Sequence, residues 1–448
     1  MKFELSKEYI EHIQSLIEEQ SVAKLTEELT EIHAADIAEI YEAIELEQAH
    51  FLHNIIEDEK GADILMELED DLRDQLLDNL SPKEIAEEVL ENLESDDAAD
   101  IVSELPQEVK EEVLSHIEDV EHASDIADLL NYPEDTAGGL MAKELIKVNK
   151  NWTVMRCVRE MRKQAENVSF VYTIYVVDDN DILVGTLSLK KLLLTDAKTI
   201  ISEIYKEDII MVNANEDNEE VGNIMNKYDL IVLPVVNDLG QLIGRITVDD
   251  VMEVIKEEAE KDYQMASGIS EDVESSDSVW TLTRARLPWL LIGMIGGLLG
   301  AKVIGIFDIE KNYQMAFFIP LIAAMGGNVG VQSAAIVVQG LAGGSIEFNG
   351  TFKRLIKELG VALVNGIICS SIIYIAAFLL GYGVWLSATV SIALLAVIIF
   401  AALFGTFVPL TLDKYKIDPA LATGPFITTV NDVLGLFIYF LIGQMILS

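Results

Sequence analysis

Between residues 1 and 131 apolar positions recur three and four apart, as in Ile10, Ile13, Leu16 and Ile17, which predicts a run of short amphipathic helices. Four similar stretches stand out: HAADIAEI at 33–40, GADILMEL at 61–68, DDAADIVSEL at 96–105 and ASDIADLL at 123–130. Their central residues Asp36, Asp63, Asp100 and Asp125 lie 27, 37 and 25 residues apart. Such repetition predicts a small all-α superhelix in which each unit covers the apolar face of its neighbour. The recurring aspartates suit helix N-caps at least as well as cation ligands.

NYPEDTAGGLM (131–141) breaks the helical pattern, and a second pattern follows over 132–258. YVVDDNDILVGTLSLKKLL from Tyr175 and PVVNDLGQLIGRITVDDVM from Pro234 align without a gap at an offset of 59 residues. Each predicts a strand, an acidic or glycine turn, a second strand ending near Gly185 or Gly244, and a helix; amphipathic helices at 153–164 and 216–227 precede them. These two α/β units resemble a pair of CBS motifs, which implies one pseudo-symmetric module with a regulatory, sensing role. A polar connector at 259–286 is expected to be helical. Beyond it, 287–448 carries five apolar segments, at about 287–307, 314–342, 359–381, 385–412 and 420–447, each long enough to cross a hydrocarbon core of roughly 30 Å.

Charge sharpens this division. The 448 residues include 31 Lys/Arg and 76 Asp/Glu, a net of −45, yet only nine of the basic and seven of the acidic residues lie beyond residue 280. An acidic first part repels phosphate backbones and attracts cations, so nucleic acid is excluded as a partner. Arg284 and Arg286 precede the first span, Lys353, Arg354 and Lys357 separate the second and third, and Lys414 and Lys416 separate the fourth and fifth. The positive-inside rule then puts all three sets, and the acidic domains, in the cytoplasm, and the C-terminus outside a multi-pass plasma-membrane protein. No apolar signal-peptide core opens the chain. Two cysteines, Cys157 and Cys369, give neither a disulfide framework nor a zinc site.

The fifth segment contains GPFITTVND (424–432), with Asp432 about twelve residues, or roughly 18 Å, into the span. A charge at mid-bilayer costs at least ~2.5 kcal/mol. A buried ion pair is one explanation, but the lone basic residue within a span, Lys302, sits near the outer face and can snorkel outward. The other is a water-filled path where the carboxylate meets a mobile cation. PLIAAMGGNVGVQS (320–333) supports the path, because its glycines allow close helix approach or broken backbone. Asn328, Gln332, Thr428, Thr429 and Asn431 add neutral oxygens. These are hard ligands, and all six histidines precede residue 123. Soft metals are disfavoured, and an ion that stays largely hydrated, such as Mg²⁺, fits; residue types do not separate it from Mn²⁺ or Co²⁺.

In this order the segments resemble the MgtE family of magnesium channels over nearly the whole chain. YPEDTAGGLM, TVDDVMEVIKEEAEKD, MGGNVGVQS, DPALATGPFITTVND and GLFIYF carry the resemblance. It implies a homodimer with one pore, conducting Mg²⁺ inward, with the pore aspartate at Asp432. It also implies a Mg²⁺ sensor at Asp96, Asp100, Asp217, Glu219, Asp229, Asp250, Glu253, Glu257, Glu258 and Asp418, with Lys261 standing where the family pattern carries an acid. The physics agrees: Asp96 and Asp100 share a helix face, as do Asp250, Glu253 and Glu257, and facing acids repel until a divalent ion bridges them. High internal Mg²⁺ would clamp the domains and shut the pore.

GRITVDD (244–250) keeps the G-x-x-T-x-x-D pattern with which CBS pairs hold a nucleotide, here through Thr247 and Asp250, so one ATP per chain is an expectation. The first copy has Lys191 at the acid position. The rival functions are a CBS-regulated transporter of another cation or solute, and an enzyme. No nucleophile–base pair, P-loop or metal-hydrolase motif supports the enzyme.

Overall fold

The structure is a computed structural model that describes residues 5–165, 168, 170–270, 273, 277–307, 309–342, 351–422 and 424–447. Part of the connector therefore lies outside the described residues. The chain divides into two compact units, Met1–Ile255 and Lys256–Ser448.

The first unit opens with ten short helices: α1 (Lys7–Glu18), α2 (Val22–Thr30), α3 (Ala34–Glu42), α4 (Leu46–His53), α5 (Asp58–Met66), α6 (Asp70–Leu77), α7 (Pro82–Glu84), α8 (Ser95–Glu104), α9 (Gln107–His116) and α10 (Val120–Leu129). A π turn and a 3-10 turn carry α7 on to Asn92. The repeat read from the sequence has a physical basis. The residue after each repeated aspartate, Ile37, Ile64, Ile101 or Ile126, is at most 1% exposed and builds the shared core. The aspartates are not the caps. His33, Glu57, Glu94 and Asp119 hold the cap positions of α3, α5, α8 and α10. Asp36 is the third residue of its helix and the other three are the sixth of theirs, so capping does not explain them.

Two three-stranded sheets follow. One has the order β1 (Lys147–Asn149), β2 (Ile174–Val177), β3 (Leu183–Leu187); the other β4 (Val212–Asn213), β5 (Val232–Val236), β6 (Leu242–Thr247). In each the first pair is parallel and the second antiparallel. The offset of 59 is kept down to the irregularities: the register shifts between Val176 and Val177 in one sheet and between Val235 and Val236 in the other. Equivalent residues Ile182 and Gln241 bridge each other, as a local two-fold axis requires. The helices are α11 (Val154–Gln164), α12 (Leu189–Leu193), α13 (Asn218–Tyr228) and α14 (Val248–Ala266). Gly185 and Gly244 lie inside β3 and β6 rather than at their ends. Each lets another backbone come close: a Cβ on Gly185 would stand 2.3 Å from the Lys206 carbonyl, and one on Gly244 2.9 Å from that of Ala142.

The connector is not one helix. α14 runs without a break from the second β-α unit to Ala266 and stops before Gly268, whose φ of +83° is the left-handed geometry that ends helices. The next helix, α15 (Val279–Ile306), starts afresh with Ser278 as its cap. After a 3-10 stretch (Ile309–Phe318) come α16 (Ile319–Ala342), α17 (Thr351–Leu379), α18 (Gly383–Lys414) and α19 (Gly424–Leu447). Among the described residues five helices are thus long and apolar enough to cross a membrane. α18 is the central one, with Val390, Ala393, Val397, Ile398 and Ala401 fully buried. Small residues set the packing: a Cβ on Gly405 of α18 would stand 2.3 Å from the carbonyl of Gly330 on α16.

Candidate metal centres

α19 begins at Gly424, after a 3-10 turn (Pro419–Ala422), so Asp432 lies eight residues, about 12 Å, into the helix. The count from the sequence started at residue 420, and the helix itself starts four residues later. The carboxylate is half-buried, and no ion pair to it, from Lys302 or any other base, occurs among the described residues. Lys302 itself is exposed. Thr428 stands one turn before Asp432, its Oγ1 donating to the Gly424 carbonyl at 2.9 Å. Gly327 of α16 lies opposite both: a Cβ there would be 3.2 Å from Thr428 Cγ2 and 3.9 Å from Asp432 Oδ1. Asn328 and Gln332 form an exposed polar stripe on α16.

Two expected path residues point elsewhere. Thr429 packs its methyl on Gly296 of α15, where a Cβ would come within 2.1 Å of Cγ2. Asn431 is 1% exposed, wedged against Gly330, and neither its Oδ1 nor its Nδ2 has a hydrogen-bond partner among the described residues. Successive residues on a helix point about 100° apart, so Asp432 and Asn431 cannot share a face.

The acids of the first unit gather where α8 meets the start of α14. Asp96 is buried and its Oδ1 accepts from the Asp97 N–H at 3.0 Å. Burial, then the charges of Asp250, Glu94 and Glu253, push the Asp97 carboxyl up to about 7. Burial, then Asp97, Glu253 and Glu134, push Asp100 up to about 7 as well. Asp100 still reaches solvent, which screens its neighbours, so they act on it less strongly than on the half-buried Asp97. Burial raises Asp96 and Asp250 too, the latter against hydrogen bonds from Thr247. Asp97 is the residue that sequence reasoning missed, because the i, i+4 pair within DDAAD drew attention to its neighbours. Three elevated carboxyls on one short helix, facing Asp250 and Glu253, form a site that favours protons or cations.

Other expected ligands do not converge in this way. Asp217 caps the N-terminus of α13, accepting from the Glu219 N–H at 3.0 Å, and Asp229 ends the same helix with φ 52°. The two lie at opposite ends of eleven residues. In the second unit, Lys261 Nζ sits 2.8 Å from Glu258 Oε1 and in the field of Asp418 and Asp262. Burial, then Asp418 and Glu258, raise Asp262, a second group the sequence reading missed. Asp418 Oδ1 accepts from the Ala420 N–H at 2.8 Å. The end of α14 meets the start of α19 here, a Cβ on Gly424 standing 2.3 Å from the Ala266 carbonyl. Among the described residues no three His, Cys, Asp or Glu side chains form a ready-made metal cage.

The residues expected to hold a nucleotide are engaged with each other. Thr247 Oγ1 and N donate to Asp250 Oδ2 at 2.6 and 2.9 Å. Beside them Arg245, Tyr172, Tyr175 and Val232 line a cavity of about 10 Å³, room for one water. As the side chains are placed, this cavity is too small for a nucleotide.

Comparison with known proteins agrees with the order of parts. A family described as the MgtE intracellular N domain matches residues 32–135, CBS domains match 137–197 and 201–257, and a family described as MgtE, divalent cation transporter, matches 319–442. The magnesium transporter MgtE of Thermus thermophilus is 32% identical over 97% of this chain and 98% of its own. That of Bacillus subtilis is 30% identical over 97% and 96%. A solved cytosolic domain of the Mg²⁺ channel MgtE in complex with ATP is 33% identical, with a TM-score of 0.51 over 55% of this chain and 99% of that one. With full-length likeness at this level of identity, the chain belongs to the MgtE family.

Proposed function

We propose that this multi-pass membrane protein transports Mg²⁺ and that Asp432 is the carboxylate the ion meets within the membrane. The observation that carries the reading is Asp432 itself: a half-buried acid on a spanning helix, flanked by Thr428 and Gly327, with no basic partner among the described residues. An intramembrane acid without a counter-charge is an ion-path group by default. One carboxylate and neutral oxygens suit an ion that keeps most of its water. A second chain would bring a second Asp432, so a homodimer with a shared path is part of the proposal. The protein is a transporter, not an enzyme. The loop charges support cytoplasmic acidic domains and an external C-terminus in a lipid bilayer.

Cytoplasmic Mg²⁺ is also the regulator. It bridges the acids of α8 to Asp250 and Glu253, and restrains α14, whose far end bears on the first residue of α19. Low Mg²⁺ leaves the acids repelling and the path free to open. The ion does this only by binding the closed arrangement more tightly than the open one. The ATP complex of a relative supports nucleotide binding at the CBS pair; because the Thr247–Asp250 pair is closed on itself, no gating step is assigned to ATP.

The test is Mg²⁺ uptake into proteoliposomes by the wild type and Asp432→Asn. A fall of about tenfold or more is expected, and undiminished uptake removes the assignment. The same hard oxygens suit Mn²⁺ and Co²⁺, so uptake of each, measured alone and against Mg²⁺, decides among the ions.

A further inference from the structure

The nearly buried guanidinium of Arg245, on β6, ties the start of α8 to the second CBS repeat. Its Nη2 donates to Glu94 Oε2 at 2.6 Å and its Nε to the Glu144 carbonyl at 2.5 Å, and it lies 5.5 Å from the centre of the Tyr172 ring. Its backbone exchanges two further hydrogen bonds with Ala142, at 2.8 and 2.9 Å. The carboxylate of Glu144 completes the junction by accepting from Ser95 N and Oγ at 3.1 and 2.8 Å. Glu94 and Ser95 are the cap and first residue of α8, so the network pins the end of the helix that carries Asp96, Asp97 and Asp100. Neither α8 nor residues 248–255 contain a Lys or Arg. The charge of Arg245 acts on Asp96 and Asp250 as well as on Glu94.

We infer that Arg245 is a tethered counter-cation that keeps α8 seated when no divalent ion is bound, and so sets the Mg²⁺ concentration at which the sensor closes. This rests on the sensor reading above and deepens it. A fixed guanidinium neutralises part of the acidic surface before any ion binds, and its planar fork holds a carboxylate and a carbonyl together, which an ammonium cannot reproduce. Divalent ions then have only the remaining repulsion to overcome.

The test is hydrogen exchange of the α8 amides in the full-length protein, with and without Mg²⁺, for wild type, Arg245→Met and Arg245→Lys. In Mg²⁺-free buffer Arg245→Met should exchange about tenfold or more faster than wild type, as loss of a buried charged hydrogen bond implies. Its Mg²⁺ midpoint should rise, saturating Mg²⁺ should restore protection, and Arg245→Lys should fall between. Equal exchange of wild type and Arg245→Met without Mg²⁺ overturns the inference. So does exchange that stays fast at saturating Mg²⁺, which would make Arg245 a general requirement for folding. A wild type whose α8 ignores Mg²⁺ overturns the sensor reading instead, and the Mg²⁺-free comparison still decides whether Arg245 seats the helix.

Discussion

Gly327 on α16 faces Asp432 on α19 with no side chain between them: a Cβ at Gly327 would lie 3.9 Å from Asp432 Oδ1 and 3.2 Å from Thr428 Cγ2. The absence of a side chain leaves the carboxylate open on that side. Gly327→Ala should fold, since the nearest atom is a threonine methyl that can shift by a few tenths of an ångström, while Mg²⁺ uptake falls several-fold. Gly330→Ala, one turn on, meets Asn431 Nδ2 at 1.9 Å and should lose monodispersity in detergent chromatography. Equal behaviour of the two variants would contradict the geometry.

Asn431 and Asp432 should separate functionally. Asn431 is buried on the α16 side without hydrogen-bond partners among the described residues, so Asn431→Ala trades lost packing against removal of an unsatisfied amide. Those terms oppose each other, and stability should move by no more than about 1–2 kcal/mol. Mg²⁺ uptake should stay near wild type, in contrast to Asp432→Asn. Loss of uptake in a well-folded Asn431→Ala would return the amide to the path.

Why the sequence separated some of these features and not others has physical reasons. The CBS repeat was legible because its offset of 59 is a covalent register, preserved even in the bulges after Val176 and Val235. The helical repeat was legible in its isoleucines, whereas the roles of its aspartates were not: acids crowd most helix starts, so pattern alone does not tell Asp119, a cap, from Asp125, a face residue. The faces of α19 were illegible because a helix apolar all round has no amphipathic stripe to show which side of it Asn431 or Asp432 occupies. The break after α14 is marked by Gly268 alone, and a lone glycine in a polar stretch does not show whether a helix stops there or runs on.

Lys261 offers a test of charge at the junction between α14 and the start of α19. Its ammonium sits 2.8 Å from Glu258 Oε1 and in the field of Asp418 and Asp262, a place that a divalent ion would otherwise share. Lys261→Glu replaces that ammonium with a fourth carboxylate. Without Mg²⁺ the junction should loosen, with faster exchange at residues 258–266. With Mg²⁺ the inhibition of flux should become steeper, because one more ion-dependent contact must form. An inhibition curve of unchanged slope and midpoint would show that the junction takes no part in sensing.

The elevated carboxyl of Asp97 gives the proposed sensor a definite pH dependence. Its value in the folded protein, about 7, lies above the roughly 4 of an unfolded aspartate. Between those values the docked arrangement binds more protons than the unfolded chain, so the stability of docking falls as pH rises from about 4 to about 7 and levels beyond. In Mg²⁺-free buffer α8 should therefore exchange more slowly at pH 5.5 than at pH 7.5, after correction for intrinsic exchange rates. Binding Mg²⁺ requires the carboxylate, so the Mg²⁺ midpoint should move the opposite way, rising as pH falls below 7 because protons compete for the same oxygens. Asp97→Asn should remove most of both slopes and protect α8 without Mg²⁺. A midpoint independent of pH between 5.5 and 7.5 in the wild type would mean that Asp97 is ionised in the docked state and is not a shared seat for proton and metal.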